Sequence, residues 1–249
     1  VALLIPDHHI GSFYNSYLAP LHNHQITVVL AHGYAVFNGS LIPQSPTHAI
    51  ALLAPKAIGP ELRRHFCQHR AKAGPGATHS LKAAYHYPTH IGNTRQQHFE
   101  ALTRSLGFAS DNLIPCPPET EALADLISEQ GLLCGGLFTL LAWTMQTMKD
   151  SAIPQALIQE ECITELKLIA NLLQERGPVG TLDAISQAAA AGAALMSQEL
   201  NQPAIKNVFM DQLAKIKSGE FVREYESGHW KEPLASLKQS LNQESSPNP

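Results

Sequence analysis

The sequence predicts an α/β layer followed by an all-α part, and two changes of texture predict it. Up to about residue 117, short apolar runs such as VALLI (1–5), ITVVLA (26–31) and HAIALLA (48–54) alternate with polar helical stretches. From Glu119 to about residue 225 those runs give way to an almost unbroken helical periodicity. The PCPPE segment at 115–119 marks the change. The chain therefore divides into 1–117, 118–240 and a polar, Pro-rich tail at 241–249 that is expected to be disordered.

The elements follow in order. VALLI is a buried strand, SFYNSYLAPL (12–21) a helix, and ITVVLA and HAIALLA two further strands. Continuous Val/Ile/Leu runs without polar alternation indicate burial on both faces, the habit of parallel sheets. After Gly59-Pro60, ELRRHFCQHRAK reads as a helix with Pro in its first turn. A strand within 78–87, a helix around 94–106 and a strand in NLIPC (112–116) complete a partial Rossmann-type parallel sheet. Helices are expected over 119–148, 154–175, 181–199 and 203–217, with Pro154 opening the second and Gly177-Pro178 closing it.

Composition narrows the function classes. Apolar residues make up 44% and charged residues 15%, enough for a sizeable core. A net charge of −4 argues against nucleic acid or an anionic membrane as partner. Cys67, Cys116, Cys134 and Cys162 form no CxxC and read as reduced thiols of a cytoplasmic protein. No uninterrupted apolar run reaches the roughly 18–20 residues of a membrane span. The chain opens without Met, inside an apolar strand, with no basic leader, which suggests the back part of a longer protein.

Two sets of side chains carry chemistry. In an open parallel sheet ligands bind beyond the carboxyl ends of the strands. His32 follows VVLA and Lys56 follows ALLAP at that edge, where a polar substrate or cofactor would lie. Separately, Asp125/Glu129 and Glu161/Glu165 are acid pairs at i,i+4, which places each pair on one side of a helix. The rows they occupy continue into Leu132 and Leu133, and into Leu168, Ile169 and Leu172. The acids thus interrupt apolar stripes expected to face a core, where unpaired carboxylates are costly. They are either solvated helix acids or hard oxygen ligands suited to magnesium or manganese. His65 and His69 around Cys67 have a spacing open to zinc, yet no second ligand pair follows. A di-iron or di-manganese bundle would need Glu-x-x-His, and Leu132, Thr164 and Leu168 stand where its histidines belong.

The motifs LLIPD, LAHGY, NGSLIP, LLAPK and RRHF, then ETEALADLISEQGLLCGG, ECITELKLIANLL, AIS and KSGEF, resemble the ketol-acid reductoisomerase family in order and over nearly the whole chain. DLxxEQxxLCGG followed by ExxxELKLI is the most specific part. The resemblance implies a Rossmann-type NADP-binding domain joined to a knotted helical domain like that of 6-phosphogluconate dehydrogenase. It implies His32 and Lys56 as catalytic residues, and Asp125, Glu129, Glu161 and Glu165 as ligands of two magnesium ions. Ser186 is the implied substrate-carboxylate ligand, and Asp7, His8, His9, Ile10 and Gly59 are the implied NADPH contacts, the first four in a loop after LLIPD.

The family isomerises 2-acetolactate or 2-aceto-2-hydroxybutyrate and reduces the product with NADPH, in valine and isoleucine synthesis. A cytoplasmic homodimer or higher homo-oligomer is implied, with the two acid pairs of a site drawn from different subunits. The family's G-x-G-x-x-G turn is missing from this sequence. The alternative is a truncated or inactive relative that keeps only the fold and dimer interface.

Overall fold

A computed structural model describes residues 1–73, 81–89 and 92–242. It contains five strands in the order β1 (Ala2–Leu3), β2 (Ile26–Leu30), β3 (His48–Pro55), β4 (Ala83–His86) and β5 (Leu113–Pro115), in one sheet. β1, β2 and β3 are parallel, with Val29 opposite Ala2 and Ala51 opposite Val29. β4 turns the other way: it pairs antiparallel with β3, Ala83 opposite Pro55 and His86 opposite Leu52, while β5 runs parallel to β4.

The expected Rossmann-type parallel sheet is present and mostly parallel, with β4 as the strand that reverses. A parallel return requires a crossover element covering the sheet. Helix α3 (Gly59–Ala73) is rich in Arg and His and has no fully buried residue among its described side chains. The composition of AAYH does not encode strand direction, and the sequence pattern could not report it.

Two cores lie on opposite faces of the strands. Leu52 and Ala54 of β3 join Val28, Leu30, Ile10, Tyr14 and Leu18 on one side. Ala49, Ala51 and Leu53 join Tyr87, Phe99 and Phe108 on the other. Alternation along β3 therefore feeds both layers, which is why its run reads as continuously apolar. The first layer's helix is α1 (Asp7–Phe13), prolonged by a π-turn over Tyr14–Leu18 and a 3₁₀ turn over Ala19–Leu21. The second is covered by α4 (Asn93–Ser105). The helix expected at 12–21 thus begins five residues earlier, and Asp7, His8, His9 and Ile10 form its first turn rather than a loop. Pro6 fixes its own φ at −54° and precedes an acidic first turn, both favourable to helix initiation. A short helix, α2 (Tyr34–Phe37), follows β2.

The chain separates into two compact units, Val1–Asp125 and Leu126–Pro249, and the division falls inside α5 (Pro118–Ser128). The second unit is helical throughout its described length. It comprises a π-turn at Glu129–Leu133, α6 (Gly135–Asp150), α7 (Gln155–Gln159), a second π-turn at Glu160–Thr164, α8 (Glu165–Ala184), α9 (Gln187–Leu200) and α10 (Pro203–Lys217). α8 is broken at Gly177, whose φ of 70° and ψ of 174° lie outside the helical region, and it restarts at Pro178. Two further helices, α11 (Glu220–Ser227) and α12 (Lys231–Leu241), carry the helical part beyond its expected end near 225. Leu241 closes α12, and residues 243–249 of the expected disordered tail lie outside the described residues.

The apolar stripes of the second unit are a further correction. Leu132 is 66% exposed and Trp143 63%, and Leu133, Leu168 and Ile169 are exposed as well. The stripes interrupted by the acid pairs do not face a core of this chain. The stretch Pro118–Asp150 is also long and apolar enough, by length and composition, to cross a membrane, with 11% of its most apolar window buried. Periodicity identifies an apolar face but not what covers it.

Candidate functional site

The side chains that converge lie at the carboxyl ends of β2 and β3. β2 ends at Leu30 and delivers His32 and Gly33; β3 ends at Pro55 and delivers Lys56, whose amide bonds to the Lys82 carbonyl at 2.8 Å. Across them, α5 presents Glu121 and Asp125 from one face, one turn apart. The approach is close because position 33 has no side chain: a Cβ on Gly33 would lie 1.9 Å from the Pro118 carbonyl oxygen.

Glu121 is the centre of this arrangement, and it is 2% exposed. Its Oε2 accepts the Gly33 amide proton at 2.8 Å, and its Oε1 accepts from Lys56 Nζ. Lys56 Nζ also reaches Asp125 Oδ1 at 3.4 Å, while Asp125 Oδ2 lies 3.1 Å from His32 Nε2. A buried carboxylate is tolerated only when paired and hydrogen-bonded, and Glu121 has both. Sequence reasoning missed it. The signal is present: Glu121 stands four residues before Asp125, on the same row that continues to Glu129.

The ring of His32 is oriented from both sides. Its Nδ1 accepts the Tyr34 amide proton at 3.1 Å, so in the neutral ring the proton sits on Nε2 and points at Asp125. His32 Nε2, Glu121 and Asp125 offer ligand atoms within 4.8 Å of one another, a possible metal group. The tautomer argues against His32 as a ligand there, since an imidazole nitrogen that binds metal cannot also carry a proton.

The charges tune one another. Burial lowers the His32 pKa, but the hydrogen bond to Asp125 and the charges of Glu121, Asp125 and Asp7 outweigh it, so the net shift is upward. Lys56 follows the same pattern: burial works against its charge, and Glu121 and Asp125 raise its pKa overall. Asp125 is held below the ordinary carboxylate value, first by the His32 hydrogen bond and then, against burial, by Lys56. Asp7 is shifted upward, chiefly by burial.

For His32 a raised folded pKa means stabilisation that is full below the ordinary 6.5 and lost as pH rises through the folded value. For Asp125 a lowered one means stabilisation present above 3.8 and lost as pH falls through the folded value. The ion pair is therefore strongest in the window between the two. A nitrogen-detected NMR titration is expected to place His32 above 6.5, and Asp125→Asn to bring it down; a His32 indifferent to Asp125→Asn would dissolve the pair.

The other sequence-derived candidates are placed as follows. Glu129 opens the first π-turn, Glu161 lies within the second, Glu165 begins α8, and all three are exposed. Ser186 is the N-cap of α9, its Oγ accepting from the Ala189 amide at 3.2 Å, with the hydroxyl proton still available to donate. Asp7, His8 and His9 are at the surface or half-buried, whereas the side chain of Ile10 belongs to the core. Gly59 begins α3 in open space. His65 lies 3.3 Å from Glu61, and the side chain of His69 is outside the described residues. None of the four cysteines forms a disulfide.

The chain thus combines a mostly parallel α/β layer, with charged groups gathered at its strand ends, and an all-helical part. Residues 1–94 match the model of the acetohydroxy acid isomeroreductase NADPH-binding domain, and 119–247 that of the ketol-acid reductoisomerase C-terminal domain. The chain belongs to the ketol-acid reductoisomerase family. A ketol-acid reductoisomerase (NADP(+)) from Akkermansia muciniphila is 27% identical over 90% of this chain and 66% of its own length. One described as NAD(+)-dependent, from an uncultured archaeon, is 26% identical over 90% and 65%. The chain thus spans just under two thirds of these relatives.

In fold, it is similar to an NADH-preferring ketol-acid reductoisomerase from an uncultured archaeon. The TM-score is 0.80 at 23% identity, over 98% of this chain and 72% of the other. A semialdehyde dehydrogenase NAD-binding protein from Cupriavidus necator shares the fold at a TM-score of 0.60 and 18% identity, over 88% and 77%.

Proposed function

We propose that this chain acts as a magnesium-dependent ketol-acid reductoisomerase, which rearranges 2-acetolactate or 2-aceto-2-hydroxybutyrate and reduces the product to a 2,3-dihydroxy acid. The observation that carries the reading is the hydrogen-bonded chain His32–Asp125–Lys56–Glu121 at the strand ends. A decayed relative would be free to replace the whole polar cluster by apolar side chains, which is often neutral or stabilising.

Asp125, Glu129, Glu161 and Glu165 fit magnesium by their chemistry, being four hard carboxylates with no soft ligand among them. When bound, such ions act as Lewis acids on the hydroxyl and keto oxygens of the substrate. The chain's own residues do the rest. His32, with its proton on Nε2, and Lys56, shared between two carboxylates, hold and return protons beside the migrating alkyl group, directly or through one water. Ser186 donates its free hydroxyl proton to the substrate carboxylate. Asp7, His8, His9, Ile10 and Gly59 border the nicotinamide cofactor, which we take to be NADPH; Ile10 would contribute its backbone only.

The exposed stripes carrying Leu132, Leu133, Leu168 and Ile169 suit a second copy of the chain, and we propose a cytoplasmic homodimer in which each site draws acids from both subunits. A membrane would leave Glu129, Glu161 and Glu165 facing lipid, at a cost of a few kcal/mol each.

The test is acetolactate-dependent oxidation of NADPH, with NADH in parallel, assayed with and without magnesium on this chain and on one extended by its own upstream coding sequence. Magnesium-dependent turnover in either supports the reading, and none in both rejects it. Glu165→Gln is expected to abolish that turnover at unchanged melting temperature, because Glu165 is exposed and its loss strands no partner among the described residues. Full activity in Glu165→Gln would reject the metal assignment.

A further inference from the structure

We propose that Gln212 is a positioning residue for Glu129: through its hydrogen bond to Gln130 it clamps the π-turn that Glu129 opens, and so sets how that carboxylate meets a divalent cation. The inference rests on the reading of Glu129 as a metal ligand and adds to it a residue from a distant part of the sequence.

A π-turn closes with one residue more than an α-turn and is uncommon, because the ordinary helix is more stable. Something must hold it. At Glu129–Leu133 the defining bond runs from the Cys134 amide to the Glu129 carbonyl at 2.7 Å. Two glycines make room for it. A Cβ on Gly135 would meet the Gln130 carbonyl oxygen at 1.9 Å, and one on Gly136 the Gly131 carbonyl oxygen at 2.4 Å. These glycines permit the π-turn but do not enforce it, since glycine accepts an α-turn as readily.

The enforcing contacts come from α10. The edge of the Phe209 ring lies against Gly131, 3.2 Å from where a Cβ would stand, and Gln212 Nε2 donates to Gln130 Oε1. The amide nitrogen of Gln130 is buried and meets no acceptor among the described residues, so the Gln212 bond is the polar anchor of that side chain. If the turn relaxed to an ordinary α-helix, its register would change by one residue. Glu129 would then be re-aimed by roughly 100° relative to α6, far more than a metal ligand tolerates.

Gln212→Met tests this, since it keeps the length and helix preference of the side chain and removes only its amide. Titration calorimetry with magnesium chloride on the full chain is expected to show binding weakened about tenfold. Hydrogen exchange at the Cys134 amide is expected to accelerate about tenfold while amides in the middle of α10 stay as they were. The double variant Gln130→Met/Gln212→Met should lose no more than the single one, because the bond between the two side chains is already gone in each. Gln212→Asn, one methylene short of Gln130, should behave like Gln212→Met and serves if that variant folds poorly.

Unchanged magnesium affinity with unchanged Cys134 exchange in both single variants overturns the clamp. A parent chain that takes up no magnesium overturns the metal reading instead, and the Cys134 exchange then decides the clamp alone.

Discussion

Gly33→Ala is expected to destabilise the protein by about 3 kcal/mol, the upper end of what overpacking costs, and to lower its melting temperature by roughly 6–12 °C. The cause is steric. Gly33 has an ordinary helical φ of −81°, so backbone strain is not at issue. The added methyl would stand 1.9 Å from the Pro118 carbonyl oxygen and 2.6 Å from its carbon, and backbone atoms cannot swing aside as a side chain would. The start of α5 must retreat by about an ångström, taking Glu121 and Asp125 with it. A misplacement of that size costs about 100-fold in rate where groups must be held in reacting geometry. Differential scanning fluorimetry and the acetolactate assay read the two effects. A variant as stable and active as the parent would show that α5 is not seated on Gly33.

Glu121→Ala is expected to cost about 2–3 kcal/mol and to abolish the proposed activity. Removing the carboxylate strands the Gly33 amide and leaves Lys56 with only its longer contact to Asp125. Breaking a buried pair from one side costs about 3–5 kcal/mol, and the lower figure reflects the partial exposure of Lys56, whose side chain is 36% accessible. Glu121→Gln keeps an oxygen for the Gly33 amide and loses only the charge, so it should fall between alanine and the parent in stability. Its activity should be as low as that of Glu121→Ala if Lys56 depends on that charge. Chemical unfolding of the three proteins side by side gives the order, and equal stability of all three would remove Glu121 from the centre of the site.

Much of this was legible in the residues themselves, though unevenly. His32 and Lys56 were found because each follows directly on an apolar run, and strand ends are where a parallel sheet exposes side chains to a ligand. Asp125 was found by its spacing to Glu129. Glu121 was not, although the same spacing points back to it, because nothing local separates an acid that will be buried from its neighbour Glu119 at the surface. The first turn of α1 was also misjudged: His8 and His9 look like loop residues, and Pro6 with Asp7 was the signal for a helix start.

By itself the sequence determined the two textures, the strands β1 to β3, the helices from 118 onwards and the rows of acids, because all of these are local periodicities written into consecutive residues. Only the tertiary structure decided the reversed direction of β4, the burial of Glu121 beneath Lys56 and Gly33, the tautomer of His32, and the exposure of the stripes that run through Leu132 and Leu168. The reason is physical: periodicity states which face of an element is apolar or charged, whereas direction, burial and protonation depend on what a distant segment brings against that face.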